Sequence, residues 1–200
     1  MANSTHLTRL FKNARMRLPG ALDDAIKVEL FAVLDEFCQT TDAWRETISV
    51  PVSPAKTIYD IEPEATASEI VRLMELKNAS DIPVAGTMEI PGELVLRAAP
   101  AAIERYSAIV SLTVADPTTS DGYPSIPEWI LQRYNTGILD GVLSRLMSQP
   151  AKPYSSERLA IYHMRRWRGA MAQARIEASR KNLHSAQAWS FPQNFAPARK

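Results

Sequence analysis

The chain has 200 residues, 46% of them hydrophobic, and a formal net charge of +1. This length and hydrophobic content suffice for one buried core, so the sequence predicts a single domain followed by a short tail. The balanced charge excludes a protein whose whole surface binds nucleic acid, because that mode requires many basic residues opposite phosphates. A single cysteine, Cys38, excludes an intrachain disulfide.

The N-terminal segment MANSTHLTRLFKNARMRL lacks the apolar run of a secretory signal peptide. No later segment reaches the length of about 18 apolar residues that a membrane span requires. We therefore expect a soluble protein that makes no membrane contact.

Apolar residues recur with a helical period over about 22–40, which predicts the first helix. The pattern then changes to alternation in AWRETISVPV, which predicts a half-buried strand. Four similar short runs follow, namely KTIYDI, EIVRLMEL, ELVLRA and SAIVSLTVA. Their links are too short for crossover helices, so the region of about 43–115 is predicted to be a small antiparallel sheet.

The segment KNASDIPVAGTMEIPG lies between the third and fourth predicted strands. It is rich in proline, glycine and small residues, yet it carries Ile82, Val84, Met88 and Ile90. One interpretation is an ordinary surface loop, and the other is a protruding loop whose apolar tip contacts a partner.

A second helix is predicted over about 126–148, with a broad apolar arc and two glycines one turn apart, Gly137 and Gly141. Glycine inside a helix costs about 0.5–1 kcal/mol relative to alanine. The pair therefore indicates close approach of another backbone. After Pro150, Ser155 or Ser156 is predicted to cap the next helix.

The last helix, over about 155–181, is amphipathic with a basic outer half. Arg165, Arg168 and Arg175 belong to that half, and nucleic acid is the first partner that such a helix suggests. A solvated helix face is the alternative, because individual surface charges contribute little to stability.

Periodicity disappears after residue 182, and the remaining segment of 183–200 contains Trp189, Phe191 and Phe195 between prolines. This composition predicts an extended C-terminal tail. We expect the three aromatic side chains to become ordered on a partner.

Residues that carry familiar chemistry are not arranged in recognisable motifs. His6, His163 and His184 lie far apart, with no cysteine or carboxylate cluster at the spacing of metal ligands. The sequence also lacks a glycine-rich phosphate loop and the motifs of serine hydrolases and zinc proteases. We therefore expect no catalysis, no metal and no cofactor.

Several fragments together resemble the C-terminal helical part of head-to-tail adaptor (connector) proteins of tailed bacteriophages. They are IPEWI at 126–130, Tyr134, Gly141, Leu146-Met147, KPYS at 152–155, RRWR at 165–168 and the upstream IPGELVLRAAP. The likeness extends from about residue 22 to residue 182, and none of its fragments is a catalytic fingerprint.

This resemblance implies an α+β fold, a helical bundle body with an inserted small antiparallel β-sheet, in an adaptor domain of residues 1–182. It implies a structural virion protein that forms a homo-oligomeric ring, commonly of twelve copies, beneath the portal protein. The ring would seal or extend the channel through which double-stranded DNA passes, and tail or nozzle proteins would attach to it. The subunit would be made in the host cytoplasm and would have no catalytic residues.

On this interpretation Trp189, Phe191 and Phe195 bind the portal. A neighbouring subunit or the portal is contacted by Arg165, Arg168, Arg175, Gly137 and Gly141. The loop that faces the tail carries Ile82, Val84 and Met88. The arginines could also face DNA in the channel. The alternative function is a phage DNA-binding or packaging accessory protein that uses the basic helix 155–181.

Overall fold

A computed structural model describes residues 5–115 and 125–180. These residues form four helices and six strands. They are α1 (Thr5–Arg17), α2 (Asp23–Thr41), β1 (Arg45–Val52), β2 (Ile58–Asp60), β3 (Ser68–Lys77), β4 (Gly86–Thr87), β5 (Glu93–Leu96), β6 (Glu104–Val114), α3 (Glu128–Met147) and α4 (Glu157–Ser179). The fold is α+β, as the sequence predicts.

The four helices pack together although the strands separate them in sequence. α3 contacts α1, α2 and α4, and α2 also contacts α4 and β6. α1 was not predicted from the sequence, although its buried Leu7, Leu10 and Ala14 line one face at helical spacing. The other three helices lie within one or two residues of their predicted bounds.

The first sheet has the strand order β1-β6-β3, with both pairs antiparallel. β6 is central, and it joins the sheet to the helices by packing against α2. Alternation places Ile48, Val50 and Val52 of β1 in the core, which confirms the predicted half-buried strand. Thr113 of β6 donates a hydrogen bond of 2.7 Å to Asp35 Oδ1 of α2.

The strands form two sheets, and not the single sheet that the sequence predicted. The second sheet has the order β2-β5-β4, again antiparallel. β4 lies in the segment interpreted as a loop, where the amide of Val84 donates to Leu76 O at 2.9 Å. This segment therefore folds back onto the strands over part of its length.

Candidate interaction surface

The start of α4 is fixed by one serine. Ser156 has an extended backbone, its hydroxyl oxygen accepts from the amide of Leu159, and its own amide donates to Met147 O of α3. A serine at this position satisfies one of the free amides of the first turn. Of the two serines proposed as the cap, Ser156 is therefore the one that serves.

The buried side chains of α4 determine which of its residues are exposed to solvent. Its buried side chains recur at intervals of three, four and seven residues and are Ala160, His163, Trp167, Ala174 and Ala178. The ring of Trp167 lies 5.9 Å from the ring of Phe37 in α2, centroid to centroid. Small residues flanking one large aromatic bring α4 close to its neighbours and fix its rotation.

Gly137 and Gly141 of α3 allow this close approach within the subunit. A Cβ atom at Gly137 would lie 2.5 Å from Ala170 Cβ of α4, and one at Gly141 would lie 2.8 Å from Val33 Cγ1. Both glycines are buried. The close contact that the sequence predicted is thus real, but its assignment to a neighbouring subunit or the portal is corrected: the partners are α4 and α2 of the same chain.

A buried cluster of charged and polar groups joins α3 to α4. Asp140 is 3% exposed, and its Oδ1 lies 2.7 Å from His163 Nδ1 while its Oδ2 accepts from Arg166 Nε at 2.8 Å. A carboxylate only accepts, so the proton lies on His163 Nδ1. Hydrogen bonds to Asp140 and then to Tyr162 raise the pKa of Arg166.

Sequence reasoning missed Asp140, although a signal was present. Asp140 follows Gly137 by three residues and lies in the apolar arc of α3, and His163 lies in the apolar half of α4. A polar residue on each of two buried helix faces indicates that the two are paired, because an unpaired buried charge is costly.

A second polar cluster lies nearer the end of α4. Glu177 accepts from Arg133 and from the hydroxyl of Tyr134, both on α3, at 3.1 and 2.9 Å. Gln173 on α4 also donates to this carboxylate, at 2.9 Å. The Gln173 hydrogen bond is the main cause that holds the pKa of Glu177 below its ordinary value.

The remaining arginines form the outer surface of α4. We define the basic face as Arg158, Arg165, Arg168 and Arg175, all of which are exposed. Within the described part of the chain, no ion pair joins these guanidinium groups to a carboxylate. They span 17 helical steps, or about 25 Å at 1.5 Å per residue.

Apolar side chains are interspersed with these arginines. Ile161, Tyr162 and Ile176 are 38%, 50% and 47% exposed on the same side of the helix. Guanidinium groups bind carboxylate or phosphate oxygens through two parallel hydrogen bonds, and exposed isoleucines favour a surface that excludes water. The basic face is thus suited to bind an anionic partner that also presents apolar groups.

The other predicted site residues do not join this surface. Ile82 is 58% exposed, whereas Val84 and Met88 are partly buried and pack against the core. The exposed apolar residues of the proposed loop are therefore Ile82 and Ile90, which is 60% exposed, whereas Val84 and Met88 turn inward on either side of β4. Trp189, Phe191 and Phe195 lie outside the described residues.

Neither a metal site nor a membrane-spanning helix is found among the described residues. Residues 5–115 and 125–180 contain no group of three or more histidine, cysteine and carboxylate side chains that could hold a metal ion. None of the helices over those ranges is both long and apolar enough to cross a membrane. In comparisons with known proteins, no family model and no curated protein matches the chain.

Proposed function

We propose that this protein is a structural subunit of the head-to-tail connection of a tailed phage. Copies of it form a ring, of twelve subunits, between the portal and the tail, and the ring encloses the DNA channel and carries tail proteins. The aromatic residues Trp189, Phe191 and Phe195 contact the portal.

The basic face is the observation that carries this proposal. A helix held in place by close packing presents exposed isoleucines and arginines that form no ion pair within the described residues, which is the composition of a protein-binding surface. The resemblance of residues 126–168 to phage adaptor proteins lies in the same two helices, α3 and α4. An assembly subunit needs such a surface and needs no catalytic group.

Electron microscopy of negatively stained protein tests the proposal, with the protein alone and mixed with the portal protein of the same phage. We expect closed rings, at least on the portal, with rotational symmetry that gives the number of copies. Only monomers or dimers in both samples would contradict the proposal.

The second candidate is a DNA-binding or packaging accessory protein. It is favoured by the arginines of the basic face, which form no ion pair within the described residues and follow one another over about 25 Å, at about one guanidinium per 8 Å.

Substitution of Arg165, Arg168 and Arg175 by lysine separates the two functions. Lysine keeps the charge but loses the paired hydrogen bonds of the guanidinium fork. We expect the triple variant to assemble less well while retaining any salt-dependent binding to duplex DNA. Unchanged assembly would contradict a role of the arginines in protein contacts.

A further inference from the structure

The near-zero net charge of the chain hides a separation of charge between two regions. From residue 157 to residue 180 there are six arginines and two glutamates, and from residue 60 to residue 93 there are eight acidic and two basic residues. α4 packs on α2 and α3, whereas the sheets join the helices through β6 and α2. The two charged regions therefore belong to different surfaces of one subunit.

Part of the negative region lies on the outward side of the second sheet. Asp60 of β2 lies directly opposite Glu93 of β5. Their neighbours Tyr59 and Leu94 are 5% and 0% exposed, so alternation turns the two carboxylates away from the core. Opposed residues of an antiparallel pair have Cβ atoms about 4.5–5.5 Å apart, so two negative charges are held close together.

A further carboxylate extends this surface. Glu62 follows buried Ile61, whose amide donates to Gly92 O beside Glu93, and Glu62 is exposed. We define the acidic patch as Asp60, Glu62 and Glu93, and in the described part of the chain no ion pair neutralises any of them.

The acidic patch also contains an apolar pair. Ile58 and Val95 lie opposite each other on the same outward side, next to Asp60 and Glu93, and Ile58 is 47% exposed. The basic face of α4 has the same composition with the opposite sign, because Ile161 and Ile176 lie among its arginines. The two surfaces are complementary in both charge and apolar content.

We propose that the basic face of one copy binds the acidic patch of the next copy. This contact deepens the proposed ring and rests on it. Two different surfaces of the subunit meet, so the contact is head-to-tail, and such contacts close into a ring when the rotation per subunit divides a full turn. Opposed carboxylates in β2 and β5 disfavour the strand pair, and arginines of a neighbour relieve that repulsion.

DNA fits the two surfaces less well than a second copy does. A phosphate backbone would pair with the arginines, but it offers nothing to the isoleucines between them. DNA would also leave the acidic patch, on another surface of the subunit, without a partner. A second copy satisfies both surfaces at once.

Reversal of charge on each surface tests the contact. One variant carries Arg165→Glu and Arg168→Glu, and the other carries Asp60→Lys and Glu93→Lys. Self-association is measured by sedimentation velocity at low ionic strength over a range of protein concentrations. We expect each variant alone to associate at least about tenfold more weakly than the unsubstituted chain, because like charges then face each other.

Recovery of association is the decisive result. A chain with all four substitutions restores opposite charges across the contact, and so does an equal mixture of the two variants. We expect both samples to associate like the unsubstituted chain. The matched control is Lys12→Glu with Arg17→Glu, two exposed residues of α1, which we expect to leave association unchanged. Circular dichroism checks that every variant is folded.

Electron microscopy of the same samples separates this inference from the proposed function. Closed rings that form equally well in each of the two double-substitution variants alone would overturn the inference and leave the ring in place. Recovery by the combined variant in open chains or dimers would support the contact and contradict the ring. The absence of association at every concentration, both without and with the portal protein, would overturn the contact. Salt-sensitive binding to duplex DNA that is lost in the variant with Arg165→Glu and Arg168→Glu would then assign the basic face to DNA.

Discussion

Gly137 sets the distance between α3 and α4 through the side chain that it lacks. The position of its Cβ would be only 2.5 Å from Ala170 Cβ, well inside van der Waals contact. Alanine has no side-chain torsion that could move a methyl group aside, so the two helices themselves would have to separate. Packed helices resist such a shift, since it also loosens the contacts of Trp167.

We therefore expect Gly137→Ala to lower the free energy of unfolding by about 1–3 kcal/mol, the usual cost of overpacking. Adding Ala170→Gly should remove the clash and return the free energy of unfolding to about that of the unsubstituted chain, because the helix propensity gained at residue 137 offsets that lost at residue 170. Urea denaturation of the two variants measures both effects.

Gly169→Ala is the matched control, because a Cβ atom there meets nothing within 4 Å. It should stabilise the protein by about 0.5–1 kcal/mol, since alanine favours the helix. If Gly137→Ala stabilised the protein to the same extent as Gly169→Ala, the close contact between α3 and α4 would be refuted.

At the scale of the elements, Glu177 is a polar link between α3 and α4. Hydrogen bonds from Gln173, Tyr134 and Arg133 favour its charged form and lower its pKa. Burial, and then the hydrogen bond to Glu177, raises the pKa of Tyr134 to about 12. The carboxylate is thus held ionised between two donors of the neighbouring helix.

Because the pKa of Glu177 is lowered in the folded state, the stability of the protein should decrease in acid. The hydrogen bonds of ionised Glu177 stabilise the fold fully above the ordinary pKa of glutamate. This stabilisation is lost as the pH falls through the lowered pKa of Glu177 in the folded state. Glu177→Gln should lower Tm at neutral pH by about 2–4 °C, the shift for about 1 kcal/mol in a chain of this size. The difference from the unsubstituted chain should narrow in acid, as followed by circular dichroism.

Glu89→Gln, an exposed residue in the segment before β5, should show no such pH-dependent difference. A difference in Tm between Glu177→Gln and the unsubstituted chain that stays constant from neutral to acid pH would contradict the ionic role of Glu177.

The elements differ in how well local sequence predicts them. α2, α3 and α4 are long, and their apolar period repeats often enough to identify them. α1 has the same period over fewer turns, and β4 is only two residues long and exists through pairing with β5. The division into two sheets depends on long-range register, which no local pattern contains.

The candidate site was predicted in part. Periodicity places Arg165, Arg168 and Arg175 on the outer half of α4, where they lie in the structure. It cannot show that Arg166 is bonded to Asp140, because that pairing depends on the rotation of α3 against α4. The glycines were correctly linked to close approach, but sequence alone does not tell an internal partner from an external one.

At the scale of the whole molecule, Cys38 reports on the integrity of the fold. Its side chain is 0% exposed, and burial is the main cause that raises the pKa of its thiol to about 12. The thiolate is the reactive form, so the folded protein should be nearly inert to thiol reagents. Reaction requires α2 to separate from the core.

We expect labelling of Cys38 by an aromatic disulfide reagent, followed by absorbance, to be slow in the folded protein and fast in urea. The Gly137→Ala variant should react faster than the unsubstituted chain under native conditions, because a less stable protein opens more often. Gly169→Ala should react no faster. Rapid reaction of the unsubstituted chain without denaturant would show that α2 is not held as described.

The order of the elements along the chain also has a consequence for synthesis. α1 packs on α3, yet more than a hundred residues, which include α2 and all the strands, separate them in sequence. During translation, the apolar faces of α1 and α2 therefore have no α3 or α4 to pack on until residues 128–179 have been made. Long-range contacts form slowly, and unpacked apolar helices aggregate. Production of the protein should thus depend on chaperones and on slow synthesis at low temperature more than its modest size suggests.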